Sequence, residues 1–206
     1  MGKGDTNISA NNYTFVSDSN GVSFICATNN SVAVLKPTEF SFDRPFRVSG
    51  NLFFQLVKKI KDTEIDIEVG SNFVTIKTES IESQVALIPP KVKNFIDMIV
   101  DIPDEFMQSL PVNFDESLKK CIIYVDSSIG SSLLSYIYAD GSNMCVANNS
   151  AIKVCTLDSE VSKMFIPAKD VACIKGFNLT HYVLKDDVLY FKADNGAFIV
   201  MQTASG

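Results

Sequence analysis

Short stretches of alternating apolar and polar residues make up most of this chain. YTFVSD, VSFICAT, SVAVLKP, EIDIEVGS, FVTIKTES and QVALIP occur in the first half, and LLSYIYAD, NMCVAN, AIKVCTLD, HYVLKDD, VLYFKAD and AFIVMQT in the second. Each is bounded by Asn, Gly, Ser or Asp, and period-two alternation between turn residues predicts half-buried strands. Three segments carry helical spacing instead. In SGNLFFQLVKKIKD, Leu52, Phe53, Leu56, Val57 and Ile60 define one apolar face, and Lys58, Lys59 and Lys61 lie off it. In NFDESLKKCIIYV, Phe114, Leu118, Cys121, Ile122 and Val125 share a side. Asp115 and Glu116 stand in the first turn, where the helix dipole favours acids, and Lys119 and Lys120 lie on the exposed side. In PAKDVACIKGF, Pro167 takes the favoured first helical position, Gly176 stops the helix, and Lys169 and Lys175 are its basic residues.

The pattern also repeats. Cys26-Ala-Thr-Asn-Asn-Ser31 is matched by Cys145-Val-Ala-Asn-Asn-Ser150, each between two strands. In both halves this turn is followed by a strand, a phenylalanine (Phe46 and Phe165), a helix, and three strands whose middle members are FVTIK and LYFKA. Two copies of one β-rich domain account for this order. Pro89, Pro90 and Pro103 break regular structure in IPPKVKNFIDMIVDIPDEF, so we expect a first domain over 1–90, a connector over 91–104 and a second domain over 105–206.

Composition narrows the class. With 206 residues, 46% of them hydrophobic, and a mean hydropathy of +0.15, the chain can bury a core as one large domain or two of about 100 residues. Eighteen basic against 24 acidic residues leave a net charge of −6. Any nucleic-acid contact is therefore confined to one face. No apolar run approaches the ~18 residues of a membrane helix, and MGKGDTNISANN lacks a signal-peptide core, so a cytoplasmic protein without membrane contact is expected. The five cysteines, Cys26, Cys121, Cys145, Cys155 and Cys173, form no C-x-x-C pair and read as buried thiols. Five N-x-S/T sequons, at Asn7, Asn12, Asn29, Asn148 and Asn178, read as chance in an Asn-rich chain.

Catalysis is tested by subtraction. His181 is the sole histidine, which excludes a zinc site of two or more imidazoles, and in NLTHYVL it reads as a half-buried strand residue. G-x-G-x-x-G, G-x-x-x-x-G-K-[ST] and G-x-S-x-G are all absent. Asp186-Asp187 and the spaced acids of TEIDIEV are the remaining candidates for a hard cation, but paired acids at strand turns are ordinarily solvated. We expect no enzyme, no cofactor and no metal.

These residues resemble the DNA polymerase sliding clamps. Ala27-Thr28-Asn29-Asn30, Ala147-Asn148-Asn149 and Phe165-Ile166-Pro167-Ala168-Lys169 stand where that family has its domain turn and its proline-led helix. Ala197-Phe198-Ile199-Val200-Met201 is similar to the terminal strand of bacterial clamps. The resemblance runs from Tyr13 to Thr203 and departs at Asn29 and Val32, where the family carries Asp and Arg. The dozen polar residues before Tyr13 leave no room for the opening strand and helix that the second domain has, so either the chain is shortened or its first domain is reduced.

The resemblance implies an α+β fold of repeated clamp domains, antiparallel sheets outside and helices lining one face. It also implies a processivity factor that encircles double-stranded DNA without reading sequence, with a DNA polymerase and a clamp loader as partners. Two domains per chain match the phage, archaeal and eukaryotic clamps that close as trimers. A phage-type homotrimer ring in the host cytoplasm is the preferred form. Lys58, Lys59, Lys61, Lys119, Lys120, Lys169 and Lys175 would face DNA. A pocket for partner peptides would use Thr28, Val32, Ala33, Pro89, Pro90, Val92, Ile199 and Met201. Two other readings stay open: the lysines are the solvated sides of amphipathic helices, or the chain is a β-rich structural or adhesion module of a phage with no DNA role.

Overall fold

A computed structural model describes residues 12–17, 22–28, 32–40, 42–62, 64–89, 106–125, 133–174 and 176–203. The chain divides into two compact units, Met1–Asp101 and Ile102–Gly206. The expected connector, 91–104, lies outside the described residues.

In the first unit, β1 (Asn12–Ser17), β2 (Ser23–Thr28), β3 (Val32–Thr38) and β4 (Phe46–Ser49) lead into helix α1 (Gly50–Val57), followed by β5 (Asp66–Val69), β6 (Phe73–Lys77) and β7 (Glu82–Ala86). The first four strands form an antiparallel sheet in the order β4-β1-β2-β3, and the last three a meander. Phe15 and Phe46 face each other in register across β1 and β4, and their rings stack at 4.3 Å. Phe53 meets Phe15 edge-on at 5.2 Å, and with Val48, Val74, Ile76 and Val85 these rings form the core. Aromatic pairs of this kind add about 0.5–1.5 kcal/mol beyond their burial.

Ser49 caps α1 by accepting the Leu52 N–H, as a Ser at the N-cap should. The expected apolar face is corrected in one member. Phe53 is buried and Leu56, Val57 and Ile60 pack on the core, but Leu52 is 60% exposed. In a segment apolar at five of eight positions, spacing alone does not select the inward side.

The second unit runs β8 (Gln108–Ser109), α2 (Phe114–Ile122), a 3-10 turn at Leu133–Ser135, β9 (Tyr136–Ala147) and β10 (Ile152–Pro167). A 3-10 turn at Ala168–Asp170, α3 (Val171–Ile174), β11 (Leu179–Lys185), β12 (Val188–Ala193) and β13 (Phe198–Gln202) complete it. Strands β8, β11, β12 and β13 pair antiparallel in the order β13-β12-β11-β8, and β9 and β10 form a long ribbon. LLSYIYAD and NMCVAN, expected as separate strands, are one: Gly141, at φ +54°, carries the chain through a bulge. Between the pairs Asn143–Thr156 and Gly141–Val161 the ribbon advances two positions on β9 and five on β10. Such insertions bend and twist a strand without ending it. The third expected helix shrinks to the 3-10 turn and the single turn of α3, with Pro167 ending β10 instead of opening a helix.

α2 forms as expected. Phe114, Leu118 and Cys121 are buried and Asp115 and Glu116 occupy the first turn. The β11–β12 turn places Asp186 and Asp187 at φ +51° and +60°, which is the backbone of a type I′ hairpin, with both side chains exposed. Among the described residues, no helix is long and apolar enough to cross a membrane.

The repeat is visible in strand register. The β2–β3 hairpin pairs Thr28 with Ala33, Ala27 with Val34 and Cys26 with Leu35. The β9–β10 hairpin pairs Ala147 with Ile152, Val146 with Lys153 and Cys145 with Val154, the same positions 119 residues later. At the second turn Asn148 Oδ1 accepts the N–H groups of Ser150 and Ala151, and Asn148 Nδ2 donates to Tyr124 O. Asn148 is thus a turn builder, the role such side chains fill by mimicking backbone groups.

Candidate functional site

The basic candidates of the first unit cluster where α1 ends. Lys58 closes the helix, its N–H bonded to Phe54 O, and Lys59 N–H bonds Leu56 O in a tightened last turn. Lys58, Lys59 and Lys61 are all exposed. They lie at the negative end of the helix dipole, a position that favours cations by about 0.3–1 kcal/mol. Along its flank α1 exposes Asn51, Leu52, Phe54 and Gln55, none of them charged. Nearby, Asp62 accepts the Ser80 hydroxyl at 2.5 Å, and that bond holds its carboxyl below the ordinary range.

In the second unit Lys119 and Lys120 are exposed on α2. Glu116 Oε1 sits 2.6 Å from Lys120 Nζ one helical turn away, and the pair pushes the lysine up and the glutamate down. An exposed pair of this kind stabilises little, yet it offsets one of the two positive charges. Asp115 turns inward and accepts the Leu179 N–H at 3.1 Å, and burial raises its pKa. Lys169 is exposed in the 3-10 turn, and Lys175 lies outside the described residues. Among the described residues, Lys58, Lys59, Lys61, Lys119 and Lys169 carry no ion pair.

Of the pocket candidates, Val32, Ala33, Ile199 and Met201 are buried core. Thr28 is half-buried and donates through Oγ1 to Val32 O at 3.0 Å, and Pro89 is exposed. Pro90 and Val92 lie outside the described residues. Every residue from Phe198 to Met201 is buried, so β13 is covered on both faces, where alternation predicted one. His181 is a half-buried residue of β11, with its Nδ1 3.0 Å from Thr180 Oγ1.

One surface was missed in the sequence. Ile152 and Val154 project from the side of the ribbon away from α2 and are 74% and 55% exposed. Their counterparts in the first repeat, Ala33 and Leu35, are 0% and 3% exposed. The same strand position is covered in one copy and open in the other. The signal was present in the 119-residue offset, which aligns the four residues without reference to structure.

No protein-family model matches the chain, and no curated protein does. Solved structures do match. The sliding clamp of Bacillus subtilis is similar over 100% of this chain and 60% of its own, at 14% identity and a TM-score of 0.71. The DNA polymerase III subunit beta of Pseudomonas aeruginosa is similar over the same shares, at 12% identity and a TM-score of 0.76. The Helicobacter pylori beta clamp, solved with a DNA ligase peptide, aligns with 98% of this chain at 11% identity and a TM-score of 0.68. The chain spans about 60% of the length of these clamps. The fold is that of the DNA polymerase sliding clamps.

Proposed function

We propose that this chain is a DNA sliding clamp, a non-enzymatic tether that surrounds duplex DNA and holds a polymerase on it. The observation carrying this reading is the clamp fold along the whole chain, at TM-scores of 0.68 to 0.76. The same likeness favours it over a β-rich adhesion module. DNA is held by enclosure, with loose phosphate contacts from Lys58, Lys59, Lys61, Lys119, Lys120, Lys169 and Lys175 and no base readout. The neutral flank of α1 and the Glu116–Lys120 pair of α2 leave each helix only weakly basic, which suits loose contacts.

Enclosure needs a closed ring. In this reading two domains per chain give six in a homotrimer joined edge to edge, and the open face of β10 at Ile152 and Val154 is the joining surface. A clamp loader opens the ring, and a phage-encoded clamp works in the host cytoplasm. A partner peptide, of the kind with which the Helicobacter pylori clamp was solved, docks at Thr28, Pro89, Pro90 and Val92 of the first unit, and the buried Val32, Ala33, Ile199 and Met201 take no direct part.

Light scattering over a range of concentrations, joined to a retention assay, tests the proposal. A mass near three times 22.6 kDa, with retention on circular DNA that is lost on linearisation, is the expected result. A monomer at every concentration, with retention indifferent to DNA topology, overturns it.

A further inference from the structure

Cys121 of α2 and Cys155 of β10 lie with their sulfurs 3.9 Å apart, and both are buried. A disulfide needs an S–S distance of about 2.05 Å, so closure asks roughly 1 Å of movement from each sulfur, within reach of side-chain rotation. The pair joins the only described helix longer than α1 to the ribbon that it covers. We propose that Cys121 and Cys155 are an oxidation site, closable into a disulfide that locks α2 onto β10. This inference does not depend on a DNA role.

The geometry also sets when the bond forms. Burial, with Cys155 beside it as a second cause, pushes the Cys121 thiol up to about 12, so its thiolate is scarce while α2 is packed. A small oxidant reaches neither sulfur until α2 lifts locally, which makes the reaction a record of helix opening.

The oxidant is an organic disulfide of the glutathione class, RSSR. In the opened state the Cys155 thiolate attacks one of its sulfurs, the RS–SR bond breaks, and RS⁻ leaves, giving a mixed disulfide on Cys155. Before α2 recloses, while Cys121 is still in water, its thiolate attacks the Cys155 sulfur and expels a second RS⁻, and the helix settles with the bond formed. The two cysteines lose two electrons and two protons, and RSSR gains them as two RSH. Asp115, whose carboxylate accepts the Leu179 N–H at 3.1 Å, is one of the anchors that hold the helix down. Weakening it should speed the reaction.

The test uses the full chain and oxidised glutathione in native buffer, followed by alkylation of remaining thiols and peptide mass spectrometry. A Cys121–Cys155 cross-linked peptide is expected, with a rise in Tm of several degrees that dithiothreitol reverses. The cross-link should persist in Cys145→Ser, which removes the more exposed neighbouring thiol, and form several-fold faster in Asp115→Ala. Glutathione adducts without the cross-link, a cross-link that forms only in denaturant, or a cross-link with unchanged Tm each overturn the proposal.

Discussion

The phenol of Tyr182 donates to Gln108 Oε1 at 2.9 Å, joining side chains of residues already opposite each other in the β11–β8 register. The phenol oxygen of Tyr182 in turn accepts the Ser162 N–H at 2.6 Å, so one hydroxyl, on a residue 2% exposed, ties three strands. β8 has only two residues, too few for its backbone bonds alone to hold it on the sheet. Tyr182→Phe leaves Ser162 N–H and Gln108 short of a partner and should cost about 1–3 kcal/mol, read as a lower denaturant midpoint with unchanged slope.

Lys58, Lys59 and Lys61 contribute positive charge and no packing. Replacing all three with Glu should leave the circular-dichroism spectrum intact and shorten residence on circular DNA several-fold in low salt, with the difference shrinking as salt rises. Residence equal to that of the unchanged protein in low salt would remove these lysines from the DNA surface.

Ile152→Glu together with Val154→Glu should abolish self-association and leave the fold intact, because both side chains are already in water in the single chain. Sedimentation equilibrium decides it. A trimer that survives both charges places the joining surface elsewhere.

Asp115 supplies a pH dependence. Its folded pKa is raised by burial, so the folded state binds its proton more tightly than the unfolded chain does. Stability is then highest with the carboxyl protonated and is lost as pH climbs from the ordinary carboxylate value through the raised one. Asp115→Asn, which keeps an oxygen for the Leu179 N–H, should flatten that part of the stability curve. Urea melts at pH steps through the window measure it.

Met201 is wholly buried, and Met201→Glu should lower the stability of the second unit by about 3 kcal/mol or more, since a buried carboxylate must be desolvated or protonated. A variant that keeps its Tm but loses binding of a polymerase-derived peptide would instead mark Met201 as a pocket residue reached by local opening.

Much of this architecture is legible in the sequence because hairpins are local. β2 with β3, β5 with β6 and β11 with β12 each announce themselves by alternation around a polar turn, and the Cys26 and Cys145 motifs register the repeat. What escaped has physical reasons. β4 is four residues of a strand following Pro45, too short to alternate visibly. The middle of β10, Asp158-Ser159-Glu160, reads as a turn because bulged residues there face water. Leu52 and Phe54 are exposed on a helix that carries apolar residues on more than one side, so spacing alone does not single out the inward one. Lys58, Lys59, Lys61, Lys119, Lys120 and Lys169 are legible as exposed because each stands off the apolar positions of its segment.

The turn at Asn148 bears on how this protein ages. Its side-chain oxygen holds two backbone N–H groups and its amide nitrogen is committed to Tyr124 O. Asn178, the other described sequon asparagine within the second unit, commits its nitrogen to Asp194 Oδ2 at 3.0 Å. An amide fixed on both sides cannot swing toward the following backbone nitrogen to form a cyclic imide, nor extend into an enzyme that would attach a sugar. Deamidation at Asn148 therefore waits on local unfolding of its turn, and the residue serves as a slow chemical clock of how often that turn opens.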